Sequence, residues 1–175
     1  MTKKFALRAL TLVFPLLILA LTANAQSKNK TEELVWHTDI NKAHEISLKK
    51  KKPIFAFFTG SDWCGWCHKL QREVFVKPEF ISWAKKNVVL VELDFPRRKE
   101  LPRELREQNY SLQQALQVRG YPTIWIFTLE KDEEKKYKIN AMGSLGYPAG
   151  AEPGKEEVKF LSEANSILAK KKDKS

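Results

Sequence analysis

The sequence predicts an α/β domain: a central mixed sheet with helices on both faces. Two features point to it directly. Three short, nearly continuous apolar runs (53–58, 87–94 and 122–127) have the length and composition of buried strands, and the segments between them repeat their apolar residues every three or four positions, as helices do. A third feature sets the scale. The 175 residues are 43% hydrophobic and 30% charged, the make-up of one globular domain and not of a disordered or fibrous chain, and no internal repeat is present.

In chain order, Lys3, Lys4 and Arg8 lead into the apolar run 9–21 and then the small-residue site Ala23-Asn24-Ala25. These are the three parts of a secretory leader, so residues 1–25 are expected to be removed. An apolar run of this length, interrupted by Pro15, falls short of the roughly 20 residues that span a bilayer, so no stable membrane insertion is expected after cleavage. Residues 26–33 read as a flexible polar spacer, 34–170 as the domain, and 171–175 as a basic tail. Within the domain, Asp39 can cap a helix over 39–49 in which Ile40, Ala43 and Ile46 share a face; Lys51, Lys52 and Pro53 end it. The strand at 53–58 stops at the turn Thr59-Gly60-Ser61-Asp62. From Cys64 the spacing becomes helical, through Cys67, Leu70, Val74 and Phe75, and Pro78 opens another helix through Lys85. After the second strand, 95–110 reads as a polar irregular insertion. Ser111 then caps a short helix to Gln117, and Gly120 stops it. The third strand turns at 130–134 into a fourth over 135–139. A glycine-rich loop over 143–154 leads to a closing helix that faces inward with Val158, Leu161, Ala164, Ile167 and Leu168.

Charge and cysteine content narrow the function. The formal charge is +10; removing Lys3, Lys4 and Arg8 leaves 28 Lys and Arg against 21 Asp and Glu, or +7. Most of the excess lies at Lys49–Lys52 and Lys170–Lys172, without the aromatic interleaving of a nucleic-acid module, and reads as solvated surface. Two cysteines are too few for a disulfide-stapled scaffold, and a mature chain of about 150 residues can bury its own core.

Cys64 and Cys67 stand three apart at the start of a helix that follows a buried strand, and that placement carries chemistry. Disulfide exchange needs a thiolate to attack and a second thiol near enough to resolve the mixed disulfide. At the helix start, unpaired N–H groups and the helix dipole favour a Cys64 thiolate, which makes it the nucleophile; Cys67, one turn further in, is the resolving thiol. His68, four residues after Cys64, either favours that thiolate when charged or points to solvent. The same residues admit other readings. Cys-x-x-Cys-His is also a c-type haem attachment motif, although a haem stretch has no reason to follow a buried aromatic strand and only Met142 remains as a methionine axial ligand. A zinc site would need His37 and His44, which lack finger-like spacing. A structural disulfide closing so small a loop would constrain little chain entropy.

The stretch 57–68, Phe-Phe-Thr-Gly-Ser-Asp-Trp-Cys-Gly-Trp-Cys-His, followed by a strand ending at Asp94 and by Gly120-Tyr121-Pro122-Thr123, resembles the thioredoxin superfamily. It is most similar to exported bacterial members with a Ser-Asp-Trp-Cys-x-Trp-Cys site, over residues 34–170. The resemblance implies a thioredoxin-like fold in which Tyr121-Pro122 is a cis peptide facing the cysteines, with the Tyr121 backbone free to pair with an extended substrate segment. Trp63, Gly65, Trp66, Tyr121 and Pro122 are then the substrate-binding residues, although Trp63 can equally serve the core, and Asp62 reads as a turn residue. Two departures stand out. The buried carboxylate and lysine of the reducing members are replaced by Phe58 and Leu90, and Gly65-Trp66 stands where those members have Gly-Pro, which leaves an N–H that would favour the thiolate and a more oxidising pair. The implied function is an extracytoplasmic, periplasmic or secreted thiol:disulfide oxidoreductase. It would be a monomer without cofactor or metal, acting on cysteine-containing proteins through a mixed disulfide on Cys64 and reset by a separate redox partner. The alternative is a binding or chaperone module in which the thiols matter little.

Overall fold

The computed structural model describes residues 33–133 and 137–172, and within them the apolar runs pair into one sheet. Its strands are β1 (Trp36–His37), β2 (Ile54–Thr59), β3 (Val89–Asp94), β4 (Thr123–Lys131) and β5 (Tyr137–Leu145), in the spatial order β1-β3-β2-β4-β5. β3 runs parallel to β1 and β2, whereas β4 runs antiparallel to β2 and β5. The expected leader 1–25, the spacer up to residue 32 and residues 173–175 of the tail lie outside the described residues.

β2 is buried throughout, and apolar up to Thr59, because both its faces are covered. Phe55 and Phe57 point to one side, where they join Phe75, Phe80, Trp83, Leu90, Ile124, Ile126 and Phe160. Ile54, Ala56 and Phe58 point to the other, among Ile40, Ala43, Val89, Val91, Leu93, Leu112 and Leu116. Helices α2 (Gly65–Leu70), α3 (Pro78–Asn87) and α5 (Glu156–Lys172) supply the first side, and α1 (Ile40–Lys50) and α4 (Arg103–Ala115) the second, so the expected α/β arrangement is present. The first side is largely aromatic. Phe75 lies 4.7 Å from Phe80 and 5.1 Å from Phe57, and Trp36 reaches Phe55, Phe57 and Phe75 at 5.3 to 6.1 Å. Each such pair adds about 0.5–1.5 kcal/mol beyond the area it buries.

Several boundaries differ from the sequence reading. Residues 103–115 form α4 where an irregular insertion and a short helix from Ser111 were expected. Pro102 starts the helix, and two of its inward positions are polar: Gln108 accepts the Ile40 N–H (2.8 Å) and donates to the Thr38 carbonyl (2.9 Å), and Asn109 donates to the Asp94 carbonyl (2.9 Å). Hydrogen bonds therefore dock this helix where an apolar stripe would normally be read. Left-handed Gln117 (φ 53), and not Gly120, follows its last turn. β5 continues to Leu145 through Gly143, which was expected in a loop; a Cβ there would stand 3.0 Å from Ile167, so the missing side chain is what lets α5 lie against the strand. α5 turns Phe160 into the core and leaves Val158 60% exposed, a rotation of the expected face, and it runs two residues into the expected tail. In α1, capped by Asp39 through the Asn41 N–H, Ile46 is half-buried while His44 and Ser47 join Ile40 and Ala43 inside.

Glu157 is an exception to polar satisfaction: one buried carboxylate oxygen has no hydrogen-bond partner among the described residues. Burial, and then the Glu79 carboxylate nearby, raise its pKa above the ordinary 4.5, with Lys77 opposing. An acid with a raised folded pKa is most stabilising when protonated, and that contribution is lost as pH rises through the raised value. Glu157→Gln should therefore hold its largest stability advantage over the parent near pH 7. Denaturant melts across pH should show the gap narrowing as pH falls towards 4.5.

Candidate active site at the Cys64–Cys67 pair

The turn that follows β2 is shaped by one residue without a side chain. A Cβ on Gly60 would fall 2.4 Å from the Trp63 ring, so only glycine lets that ring fold back over the turn. Trp63 Nε1 donates to the Phe95 carbonyl (2.8 Å), and its ring meets Tyr121 edge-on at 5.7 Å. The turn is anchored to the end of β3: the buried Asp94 carboxylate accepts both the Ser61 N–H (2.8 Å) and the Ser61 hydroxyl (2.6 Å), with Lys99 at 3.1 Å as its counter-charge. Asp62 does more than turn the chain. Its carboxylate accepts the N–H groups of Arg97 and Arg98 at 2.7 to 3.1 Å, which hold it below the usual carboxylate range, and the Arg97 guanidinium lies 3.8 Å over Trp63.

Cys64 is the N-cap of α2, and its Sγ accepts the Cys67 N–H at 3.2 Å. A sulfur in that position faces the free donors of the helix start, where negative charge is favoured. The two cysteines are joined by a disulfide. Cys64 keeps 6% of its surface and Cys67 none, so attack from outside can reach only Cys64. α2 runs on into a π-helical turn, Gln71–Phe75, which sends Val74 and Phe75 into the core. His68 is half-buried and hydrogen-bonded within the turn. Its Nε2 lies 2.8 Å from the Ser61 carbonyl, and because a carbonyl only accepts, that nitrogen carries the proton.

The remaining residues singled out from sequence gather at the same end of the sheet. Tyr121-Pro122 is a cis peptide, and Thr123 after it pairs with Phe58, just before the turn that leads to Cys64. The Tyr121 hydroxyl accepts from Gln113 (2.7 Å), and burial raises its pKa to about 12. A Cβ on Gly65 would meet nothing within 4 Å, so the space beside the disulfide is open there. Trp66 is 57% exposed and leans on Tyr147 with ring centres 5.0 Å apart. Phe58 and Leu90 fill opposite sides of the core, and the carboxylate nearest to them along β3 is Glu92, half-buried and raised above the usual range chiefly by desolvation.

Four contributors went unread in the sequence: Asp94 as the anchor, Arg97 over Trp63, and the pair Tyr147 and Lys69. The Lys69 ammonium sits 5.1 Å from the Trp66 ring centre and 4.8 Å from that of Tyr147, and the Tyr147 hydroxyl donates to Glu73. Helical spacing puts 66, 69 and 73 on one face, but only the fold brings 147 to them.

Comparisons with known proteins agree with this architecture. A family model for a thioredoxin-like domain matches residues 40–139. The thioredoxin-related protein DsbJ of Chlamydia pneumoniae is 30% identical over 168 residues, 95% of this chain and 47% of that protein. The disulfide bond reductase DsbH of the same organism is 35% identical over 105 residues, 60% of this chain and 63% of its own length. The chain thus spans less than two thirds of either curated relative. A solved structure of DsbH oxidoreductase is similar at a TM-score of 0.66 and 31% identity, over 83% of this chain and 93% of that one. A thioredoxin from Thermus thermophilus, 15% identical with a TM-score of 0.53 over 78% and 88% of the two chains, shares the fold alone.

Gly60→Ala tests the turn. The Trp63 ring must move to admit the methyl group, so stability should fall by about 1–3 kcal/mol, read in a denaturant melt. A variant that melts like the parent would mean that the ring does not depend on that gap.

Proposed function

The chain belongs to the thioredoxin-like domain family, and on that premise we propose that it is a thiol–disulfide oxidoreductase working through Cys64 and Cys67. The observation that carries the reading is the asymmetry of the pair: a cysteine that caps a helix and keeps a small exposed surface, joined to a fully buried one a turn behind it. The disulfide bond reductase among the relatives supports the same chemistry.

Starting from the dithiol, the Cys64 thiolate attacks one sulfur of a substrate disulfide. A Cys64–substrate bond forms, the substrate disulfide breaks, and its other sulfur leaves as a thiolate that takes up a proton. Cys67 then loses its proton and attacks Cys64 Sγ, which releases the second substrate thiol and leaves the Cys64–Cys67 disulfide. Two electrons have passed from protein to substrate, and the reverse sequence oxidises a dithiol. The family scaffold covers potentials from about −270 to −120 mV, so the couple's own potential against its partner sets the direction. Trp63, Gly65, Trp66 and the Tyr121-Pro122 turn border the sulfur and form the surface on which a cysteine-bearing segment lies. The leader-like residues 1–25 support an extracytoplasmic setting, periplasmic or secreted, where protein disulfides persist. The substrates are cysteine-containing proteins, and a separate protein resets the pair.

Limiting iodoacetamide on the reduced protein should label Cys64 before Cys67, read by peptide mass. Preferential labelling of Cys67 would exchange the two roles. Insulin reduction and oxidative refolding should fall to background in Cys64→Ser; equal activity in variant and parent would favour a binding module instead. Cys67→Ser, lacking the resolving thiol, should accumulate adducts with substrate proteins that dithiothreitol releases.

A further inference from the structure

Beside the disulfide, four side chains from three segments form a built cluster that the exchange chemistry does not itself use. Trp66 stands between the cysteines and is 57% exposed. Tyr147, from the loop after β5, meets it at 5.0 Å with the ring planes 59° apart, and Lys69 holds its ammonium within about 5 Å of both ring centres. The Tyr147 hydroxyl is tied to the Glu73 carboxylate on the π-helical turn. The neighbouring residue reaches the other wall of the site: a Cβ on Gly146 would lie 3.7 Å from the Pro122 carbonyl oxygen. One short loop therefore bridges the cysteine helix and the Tyr121-Pro122 turn.

We infer that Tyr147 is a specificity-determining residue. With Trp66 it forms a fixed aromatic ledge that takes an aromatic side chain of the protein substrate, next to the cysteine undergoing exchange. This inference rests on the oxidoreductase reading and deepens it. Three observations support the choice of occupant. The ledge is continuous with the exchanging sulfur, because Trp66 lies within the Cys64–Cys67 loop. Its exposed part is a ring that water solvates poorly and that another ring can meet edge-on or offset. Its geometry is already set by Lys69 beneath the two rings and by the Glu73 hydrogen bond, so little side-chain freedom remains to be lost on binding. The opposite wall carries a similar set, Trp63 edge-on to Tyr121 with Arg97 over the indole, but Trp63 is half-buried and its Nε1 is tied to the Phe95 carbonyl, whereas Trp66 is 57% exposed.

The test uses two disulfide reporter peptides that differ only beside the cysteine, one with tryptophan there and one with glycine. For the parent protein, kcat/KM should favour the tryptophan reporter. Tyr147→Ala should reduce that preference by roughly 5-fold, the size expected for one aromatic pair. Tyr147→Phe keeps the ring and should retain most of the preference, and the potential of the Cys64–Cys67 couple should be the same in all three proteins. An unchanged ratio in Tyr147→Ala overturns this inference alone, and so does a fall in both rate constants by the same factor. A parent protein that exchanges with neither reporter overturns the oxidoreductase reading as well.

Discussion

The site depends first on the grip of Asp94 on Ser61. A carboxylate buried at the end of β3 accepts two hydrogen bonds from one residue of the next turn over, and Lys99 balances its charge. Charge-assisted bonds of this kind, shielded from water, are stronger than their exposed counterparts, and losing one partner would leave a buried charge unpaired. The residues after Ser61 inherit that position. His68 reaches back to the carbonyl of the same Ser61, Asp62 secures the loop after β3, and Trp63 closes over Gly60. Cys64 is therefore presented by a turn fixed on two sides, while the helix behind it is held by the aromatic core.

The sheet explains why reactive groups collect at one end. β2 and β3 are parallel and end together, and β4 begins where β2 stops, so the turn after β2, the loop after β3 and the Tyr121-Pro122 turn all emerge at one edge. Ligand and reaction sites of open α/β sheets favour such strand ends, because loops there converge from different elements. The hydrophobic burial that sets this topology is remote from the sulfurs, yet it determines which loops meet. The two ring pairs, Trp66 with Tyr147 and Trp63 with Tyr121, each with a cation over the indole, come together beside the disulfide as a product of that convergence.

The central strands, α1, the cysteine helix and α3 could be read in the sequence because their signal is carried by apolar residues, as continuous runs in the strands and at helical spacing in the helices. Where the signal is polar it disappears. α4 buries Leu112, but much of its inward face is polar: Gln108 and Asn109 hydrogen-bond to Ile40, Thr38 and Asp94, where a sequence pattern would look for apolar contacts. The end of β5 was hidden by Gly143, which suggests a loop until the proximity of Ile167 gives it a packing reason. The two cysteines were legible because their chemistry depends on local spacing. Tyr147, Asp94 and Arg97 were not, since each acts on a residue more than 30 positions away and only the tertiary structure pairs them.

β5 lies at the margin of the sheet, and it pairs with β4 through an irregular register: Ile126 faces Gly143 while Phe127 faces Ala141, so Met142 is an extra residue on the outer strand. A free sheet margin is a template on which other chains, including further copies of the same protein, can add strands and aggregate. The bulge at Met142 bends this margin, and the exposed Lys138 adds a charge that a docking strand would have to desolvate. For a protein proposed to handle extended polypeptides, these features act against strand addition along that margin.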